Sequence, residues 1–379
     1  MQNHMVSQLV SHELLQKSNK ILFLPHLAIG DYVYLQTFFK AFAQQYPHIK
    51  IDVWVDKGRR TFCFWRWRRF KSFSLSDWLN ATPFFNKIYD QTYSPIDRAR
   101  SIKQAISEQY PVVVSLATLR SYEFACLARE ISPKGFLVGI KPEIKKYQIF
   151  KKRIFAKLDA FISPNIKEIK HITDLYAYWF EQLFNVRLVG DQCAPYIDIP
   201  KVWTIYAKLR FLKYGIGKKQ KNFGKVFFVN AFAKNKKRDW PLENFAEIIR
   251  VIKKADEWRD VSFIVNAPPE HYESVTIFFK KLGFNDVFVC SATENFFQLP
   301  AIMSCCDLVI SVETSIIHLA SALGVPVVAL MRQKNPEWAP FDTKNSFIVT
   351  TEKRSQSIRA IPWQKVYDIT MKFVQERLG

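Results

Sequence analysis

The chain has 379 residues, 49% of them hydrophobic and 23% charged, a balance that excludes a disordered or fibrous protein. Lys and Arg number 55 against 34 Asp and Glu, and the resulting formal charge of +21 favours an anionic partner, whether nucleic acid, a phosphorylated substrate or an acidic lipid surface. Six cysteines with no C-x-x-C pair and no His/Cys cluster argue against a disulfide framework or a zinc site, and no metal is expected.

The N-terminal residues lack the basic-then-apolar layout of a secretory signal, and no apolar run reaches about 18 residues. The expectation is a soluble, cytosolic chain. Continuous Val/Ile/Phe runs predict strands over 21–24, 51–55, 112–116, 136–140 and 160–162, then 226–230, 261–266, 287–290, 308–312, 327–330 and 347–349. Intervening stretches such as 34–45 and 242–254 carry apolar residues at helical spacing. Alternation of this kind predicts an α/β protein with helices on both faces of parallel sheets. The expected domains are 1–195 and 226–379, joined by a connection over 196–225 in which residues 208–225 hold seven basic residues and no acid. A solvated basic helix followed by a loop is the other reading of that stretch. The last helix is free to return to the N-terminal domain.

Ligands of such sheets bind beyond the carboxyl ends of the strands. In the first strand-to-helix loop, LAIGD at 27–31, Gly30 can supply a tight or positive-φ turn and Asp31 falls at or near the helix N-cap. Asp31 is either a cap or a general base. The loop has too few glycines for a dinucleotide fingerprint. Residues 308–331 read as strand, turn, short helix, Gly-Val-Pro turn and strand, with Thr314 and Ser315 where the helix starts. Free backbone N–H groups there suit a phosphate. Glu313 would end the strand and His318 would lie one turn into the helix; alone, they read as a surface carboxylate and a satisfied helix residue.

The stretch SVETSIIHLASALGVP at 311–326 resembles the S-V-D-T-G-x-x-H-L-A-A-A-L-G-x-P signature of the family 9 glycosyltransferases, the lipopolysaccharide heptosyltransferases. LAIGD is similar to the x-x-x-G-D that follows that family's first strand, and RDWPLENFAEII from Arg238 resembles its K-x-W-P motif. Glu337-Trp338-Ala339-Pro340 resembles the stretch after its last core strand. The four pieces keep the family's order.

The resemblance implies a B-type glycosyltransferase fold, two Rossmann-like domains facing across a cleft, with the acceptor in the first and the nucleotide sugar in the second. It implies inverting, metal-independent transfer of heptose from ADP-L-glycero-D-manno-heptose to the inner core of lipopolysaccharide, at the inner face of the inner membrane and without a cofactor. On that model Asp31 is the base, while Lys237, Arg238 and the helix start at Thr314, Ser315 and Ile316 hold the donor phosphates. Glu270, Glu313 and His318 meet the nucleotide or its sugar. Glu313 stands where the family has Asp, Ser315 where it has Gly, and Phe232 and Ala233 where it often has Ser or Thr. These departures fall on the donor side and keep a different nucleotide sugar open as an alternative.

Residues 57–71 pack seven basic and five aromatic residues with no acid, including Arg59, Arg60, Arg66, Arg68 and Arg69. Such a segment suits single-stranded nucleic acid, an anionic membrane surface or a phosphorylated glycolipid, or it packs its aromatics in the core. The resemblance favours acceptor or membrane. A second cluster at 141–157, with seven basic residues and one acid, reads as an amphipathic helix on an acidic surface or as a solvated face. No nucleic-acid-binding signature is present, so nucleic acid is not the expected partner.

Overall fold

The computed structural model describes residues 8–56, 74–145, 147–164, 169–216 and 225–377. Residues 57–71, with Arg59, Arg60, Arg66, Arg68 and Arg69, lie outside the described residues, as does the Lys237 side chain. The chain divides after Cys193 into two compact units.

In the first unit, β1 (Lys20–Pro25), β2 (Lys50–Trp54), β3 (Phe85–Tyr89), β4 (Val112–Leu116), β5 (Phe136–Ile140) and β6 (Ala160–Ile162) form one parallel sheet in the order β3-β2-β1-β4-β5-β6. That is the doubly wound order, with its switch point between β1 and β4. Parallel strands covered on both faces need apolar side chains on both, and every residue of β4, VVVSL, is buried. Along β1 the alternation is one of partners. Leu22 and Leu24 join the core under α5 (Ser121–Ile131), whereas Phe23 points to the other face. There its ring meets Phe39 and Phe42 of α2 (Ile29–Gln45) and Phe180 and Phe184 of α7 (Ile172–Phe184). The edge strand β3, FNKIY, is absent from the sequence prediction because Asn86 and Lys87 interrupt its apolar run and only Tyr89 is buried.

In the second unit, β7 (Val226–Asn230), β8 (Ser262–Asn266), β9 (Val287–Cys290), β10 (Leu308–Val312), β11 (Val327–Met331) and β12 (Ser346–Thr350) run in the order β12-β11-β10-β7-β8-β9, again all parallel. Counted from β7, this repeats the doubly wound order, with the switch point between β7 and β10. Trp240 anchors one face. Its ring is buried edge-on against Phe245 of α9 (Leu242–Lys254), and its indole N–H donates to the Ile361 carbonyl at 3.0 Å. The connection expected over 196–225 contains a helix, α8 (Lys201–Lys213), which belongs to this unit and packs on α11 (Gln298–Met303). The last helix, α13 (Trp363–Arg377), packs on α9 and β12.

Candidate functional site

Residue groups with chemistry collect at the carboxyl ends of both sheets, and each unit is taken in turn. In the first, β1 stops at Pro25 and α2 starts from Ala28, whose side chain cannot cap. Asp31, at the third helical position, takes over: its Oδ2 accepts the Ala28 N–H at 2.9 Å. Gly30 lies within the first helical turn and is not among the glycines with positive φ, so the turn is made without the left-handed geometry expected of it.

The other oxygen of Asp31 meets the Tyr176 hydroxyl of α7 at 3.4 Å. Burial is the largest influence on this carboxyl and raises its pKa to about 6; the hydrogen bonds from Ala28, Tyr176 and its own N–H act the other way. Tyr176, held well above the usual phenol range by burial and by the Asp31 charge, stays a donor. Asp31 is therefore both a cap and a carboxylate poised to take a proton near neutrality.

In the second unit the switch point is built round Asn230 at the end of β7. Its amide donates to the Phe232 carbonyl at 3.1 Å and to Ser311 Oγ of β10 at 3.0 Å, and its Oδ1 accepts from Asn266 of β8 at 3.0 Å. Three neighbouring strands are thus tied at their ends. After β10, Thr314 caps α12 (Ser315–Leu323): its Oγ1 accepts the Ile316 N–H at 3.3 Å and lies 3.4 Å from the Asn230 amide. The first-turn N–H groups of α12, from Ser315 onward, lack carbonyl partners four residues back and carry the positive end of the helix dipole. At its other end Gly324, at φ 67°, closes the helix in the left-handed conformation that its missing Cβ allows.

Glu313 is buried rather than a surface carboxylate. Arg332, just beyond β11, donates its Nε to Oε2 at 3.1 Å, its Nη2 to Oε1 at 3.0 Å and its backbone N–H to Oε2 at 3.2 Å. Arg238, in the turn Lys236–Arg238, brings Nη1 to 3.4 Å from Oε1. Four contacts on about four lone-pair sites leave this carboxylate saturated within the chain. Its two guanidiniums outweigh its single charge, so the ensemble beside the helix start is net positive. The guanidinium charge of Arg332 is reinforced, first by its hydrogen bonds to Glu313.

Other predicted residues gather round this group to different degrees. His318 is buried, with its ring 5.7 Å from Trp338, which joins the 311–326 and 337–340 motifs. Glu270 is exposed in the turn Pro269–His271, and the next residue, His271, stacks on Phe232 at 5.3 Å. Arg332 was not among the predicted residues. The signal for it lies in strand adjacency: β10 and β11 pair with Val312 beside Leu330, which sets Glu313 and Arg332 next to each other just past the strand ends.

Residues 194–361 match the family model described as Glycosyltransferase family 9 (heptosyltransferase). Over those residues the second unit is similar to the family 9 glycosyltransferases. A curated relative, the lipopolysaccharide core heptosyltransferase OpsX of Haemophilus influenzae, is 25% identical over 170 residues, which cover 43% of this chain and 47% of the relative. The match thus spans about half the length of that protein. Likeness in fold extends beyond the matched residues. A family 9 glycosyl transferase from Veillonella parvula superposes with a TM-score of 0.72 at 16% identity, over 94% of this chain and 98% of that one. The ADP-heptose heptosyltransferase II of E. coli gives 0.67 at 15% identity, over 95% and 100%. The E. coli heptosyltransferase WaaC with ADP gives 0.63 at 14%, over 93% and 99%. The two Rossmann-like units, one of them holding the matched residues 194–361, have the B-type glycosyltransferase fold of these structures.

Proposed function

We propose that the protein is an inverting glycosyltransferase that moves heptose from ADP-L-glycero-D-manno-heptose onto the inner core of lipopolysaccharide or lipooligosaccharide. Its place would be the cytoplasmic side of the inner membrane, as a peripheral protein; among the described residues no helix is long and apolar enough to cross a membrane. The single observation that carries the reading is Asp31, a carboxylate in the first turn of α2 beyond the first strand, held by the Ala28 N–H at 2.9 Å and with its pKa raised to about 6. Such a group is ionised at neutral pH yet basic enough to take a proton in the transition state.

In the proposed reaction an acceptor hydroxyl gives its proton to Asp31 as its oxygen bonds to the anomeric carbon. The bond from that carbon to the diphosphate oxygen breaks on the opposite face, and ADP departs with the electron pair. The growing phosphate charge is assigned to Arg238, Lys237 and the positive start of α12 at Thr314, Ser315 and Ile316. Glu313 serves this site chiefly by holding Arg332 and Arg238 in place. His318 and Glu270 are assigned to the nucleotide or sugar. Neighbours named for ADP and ADP-heptose support the choice of donor.

The test is nucleotide release from a panel of ADP-, UDP- and GDP-sugars with truncated lipooligosaccharide as acceptor. Acceptor-dependent release of ADP from ADP-heptose alone is expected. Release from another nucleotide sugar instead would mark Glu313, Ser315 and Phe232 as residues of a different donor pocket. Asp31→Ala should abolish transfer and leave nucleotide binding unchanged.

A further inference from the structure

The sheet edge that carries Asp31 also carries a surface with no role in the chemistry above. At the carboxyl ends of β5 and β6, four large apolar side chains stand in solvent: Tyr147 and Phe150 at 74% exposure, Ile149 at 61% and Phe161 at 54%. Ile149 and Phe150 open α6 (Ile149–Phe155), whose inner face is fixed by buried Ile154 and Phe155, so the exposed pair is held outward by a packed helix. Phe161 of β6 lines an open hollow of about 600 Å³ with Lys141, Ile144 and Lys152, the last from the same helix as Ile149 and Phe150.

Cations are interleaved with these side chains. The Lys141 ammonium lies 4.0 Å from the Phe161 ring centroid and that of Lys145 lies 6.0 Å from Tyr147. Exposed Lys151, Lys152 and Arg153 follow on the helix, and Glu143 is the only acid among the described residues of 141–153. Apolar tips ringed by lysines match the layering of an anionic bilayer surface, with phosphates outside and acyl chains beneath. Packing of this face against a second copy would set lysine against lysine.

We infer that this face, Tyr147, Ile149, Phe150 and Phe161 with Lys141 and Lys152, docks the protein on an anionic phospholipid surface. The inference rests on the proposed membrane-side reading and names the contact. The strand that leads to Asp31, β1, and the strand of Phe161, β6, are three spacings apart across β4 and β5, about 14 Å at ordinary strand spacing. A lipid-anchored acceptor seated beside this face would present its outer sugars to the Asp31 end of the same sheet edge.

Co-sedimentation of the full chain with lipid vesicles tests it. One set of vesicles is phosphatidylcholine alone, the other phosphatidylcholine with an equal part of phosphatidylglycerol. Binding to the anionic set only is expected. Ile149→Ser/Phe150→Ser should lower the partition constant about tenfold by removing two inserted side chains. Lys151→Glu/Lys152→Glu should lower it at least as much, since each lysine near an anionic surface contributes about fivefold. All four positions are exposed, so unchanged melting of the variants is the control for folding. Wild-type chain that ignores both sets would overturn both this inference and the membrane-side reading, whereas equal binding to both sets would overturn the anionic-surface inference alone. Wild-type binding that persists undiminished in both double variants would overturn this face alone and move the contact to another basic segment.

Discussion

Arg332 closes a fork on Glu313, with Nε 3.1 Å from one carboxylate oxygen and Nη2 3.0 Å from the other. Side-chain exposures of 15% and 11% put the pair where water screens it little. Because the backbone N–H of Arg332 donates as well, the fork ties the end of β10 to the residue after β11 and fixes the floor on which α12 starts. Arg238 leans on the same carboxylate from a third segment.

Removing the fork should be felt in both stability and binding. Arg332→Ala leaves Glu313 with Arg238 alone and is expected to cost about 3–5 kcal/mol in urea unfolding, the range for breaking a buried pair. Arg332→Lys should recover only part of that, since an ammonium cannot make the two parallel bonds. Affinity for ADP by calorimetry should fall about tenfold in the alanine variant, as Glu313 is released to draw Arg238 away from the helix start. An alanine variant as stable as wild type would mean that Glu313 is well solvated without its partner.

The Asp31 carboxyl makes a prediction with a sign. Its folded pKa of about 6 lies above its ordinary value of 3.8, so between these pH values the native state holds a proton that the unfolded chain has lost. Stability therefore declines as pH rises from about 4 to 6, and the deficit of about 3 kcal/mol persists above that range. Asp31→Asn removes the charge but keeps an acceptor for the Ala28 N–H. The variant should melt higher than wild type at pH 7.5, match it near pH 3.5, and lose transfer by at least about a hundredfold. Equal melting at both pH values would show that the carboxylate is solvated in the native state.

In the proposed reaction Tyr176 acts through Asp31 and is a positioning residue. Its hydroxyl stabilises the ionised carboxylate, so Tyr176→Phe should raise the Asp31 pKa further. The acid limb of the kcat/KM profile, expected near pH 6 in wild type, should move up by about half a unit, while KM for the donor stays constant. A variant that lowers activity equally at every pH would assign Tyr176 to packing alone.

Strands buried on both faces were the most legible part of the fold, because a run such as VVVSL in β4 has one stable environment. The edge strand β3 escaped because polar Asn86 and Lys87 stand in its middle and leave no apolar run. In the site, Asp31 and Thr314 were readable from their places at strand-to-helix turns. The hydroxyl partner of Asp31, Tyr176, comes from α7, well over a hundred residues away, and no local pattern carries that contact. Glu313 read as a surface carboxylate because its partners, Arg238 and Arg332, lie in separate turns that only strand order brings together.

Asn230 offers a sharp test of how the second unit's switch point is held. The residue is buried, its amide serves Phe232 and Ser311 as donor, and its carbonyl serves Asn266 as acceptor. Asn230→Asp keeps the shape and the acceptor but turns the donor end into an oxygen facing the Phe232 carbonyl. A buried polar atom with no partner costs about 1–3 kcal/mol, and a charged one more. Asn230→Asp should therefore destabilise the protein by at least about 2 kcal/mol at pH 7.5 and recover part of this loss at low pH, where the new carboxyl is protonated. Thr314→Ala, which removes only the cap of α12, should cost about 1 kcal/mol with no such pH dependence. Because Thr314 Oγ1 lies 3.4 Å from the Asn230 amide, the two losses should fall short of additive in the double variant. Full additivity in urea unfolding would show that the strand-end network and the helix cap are independent.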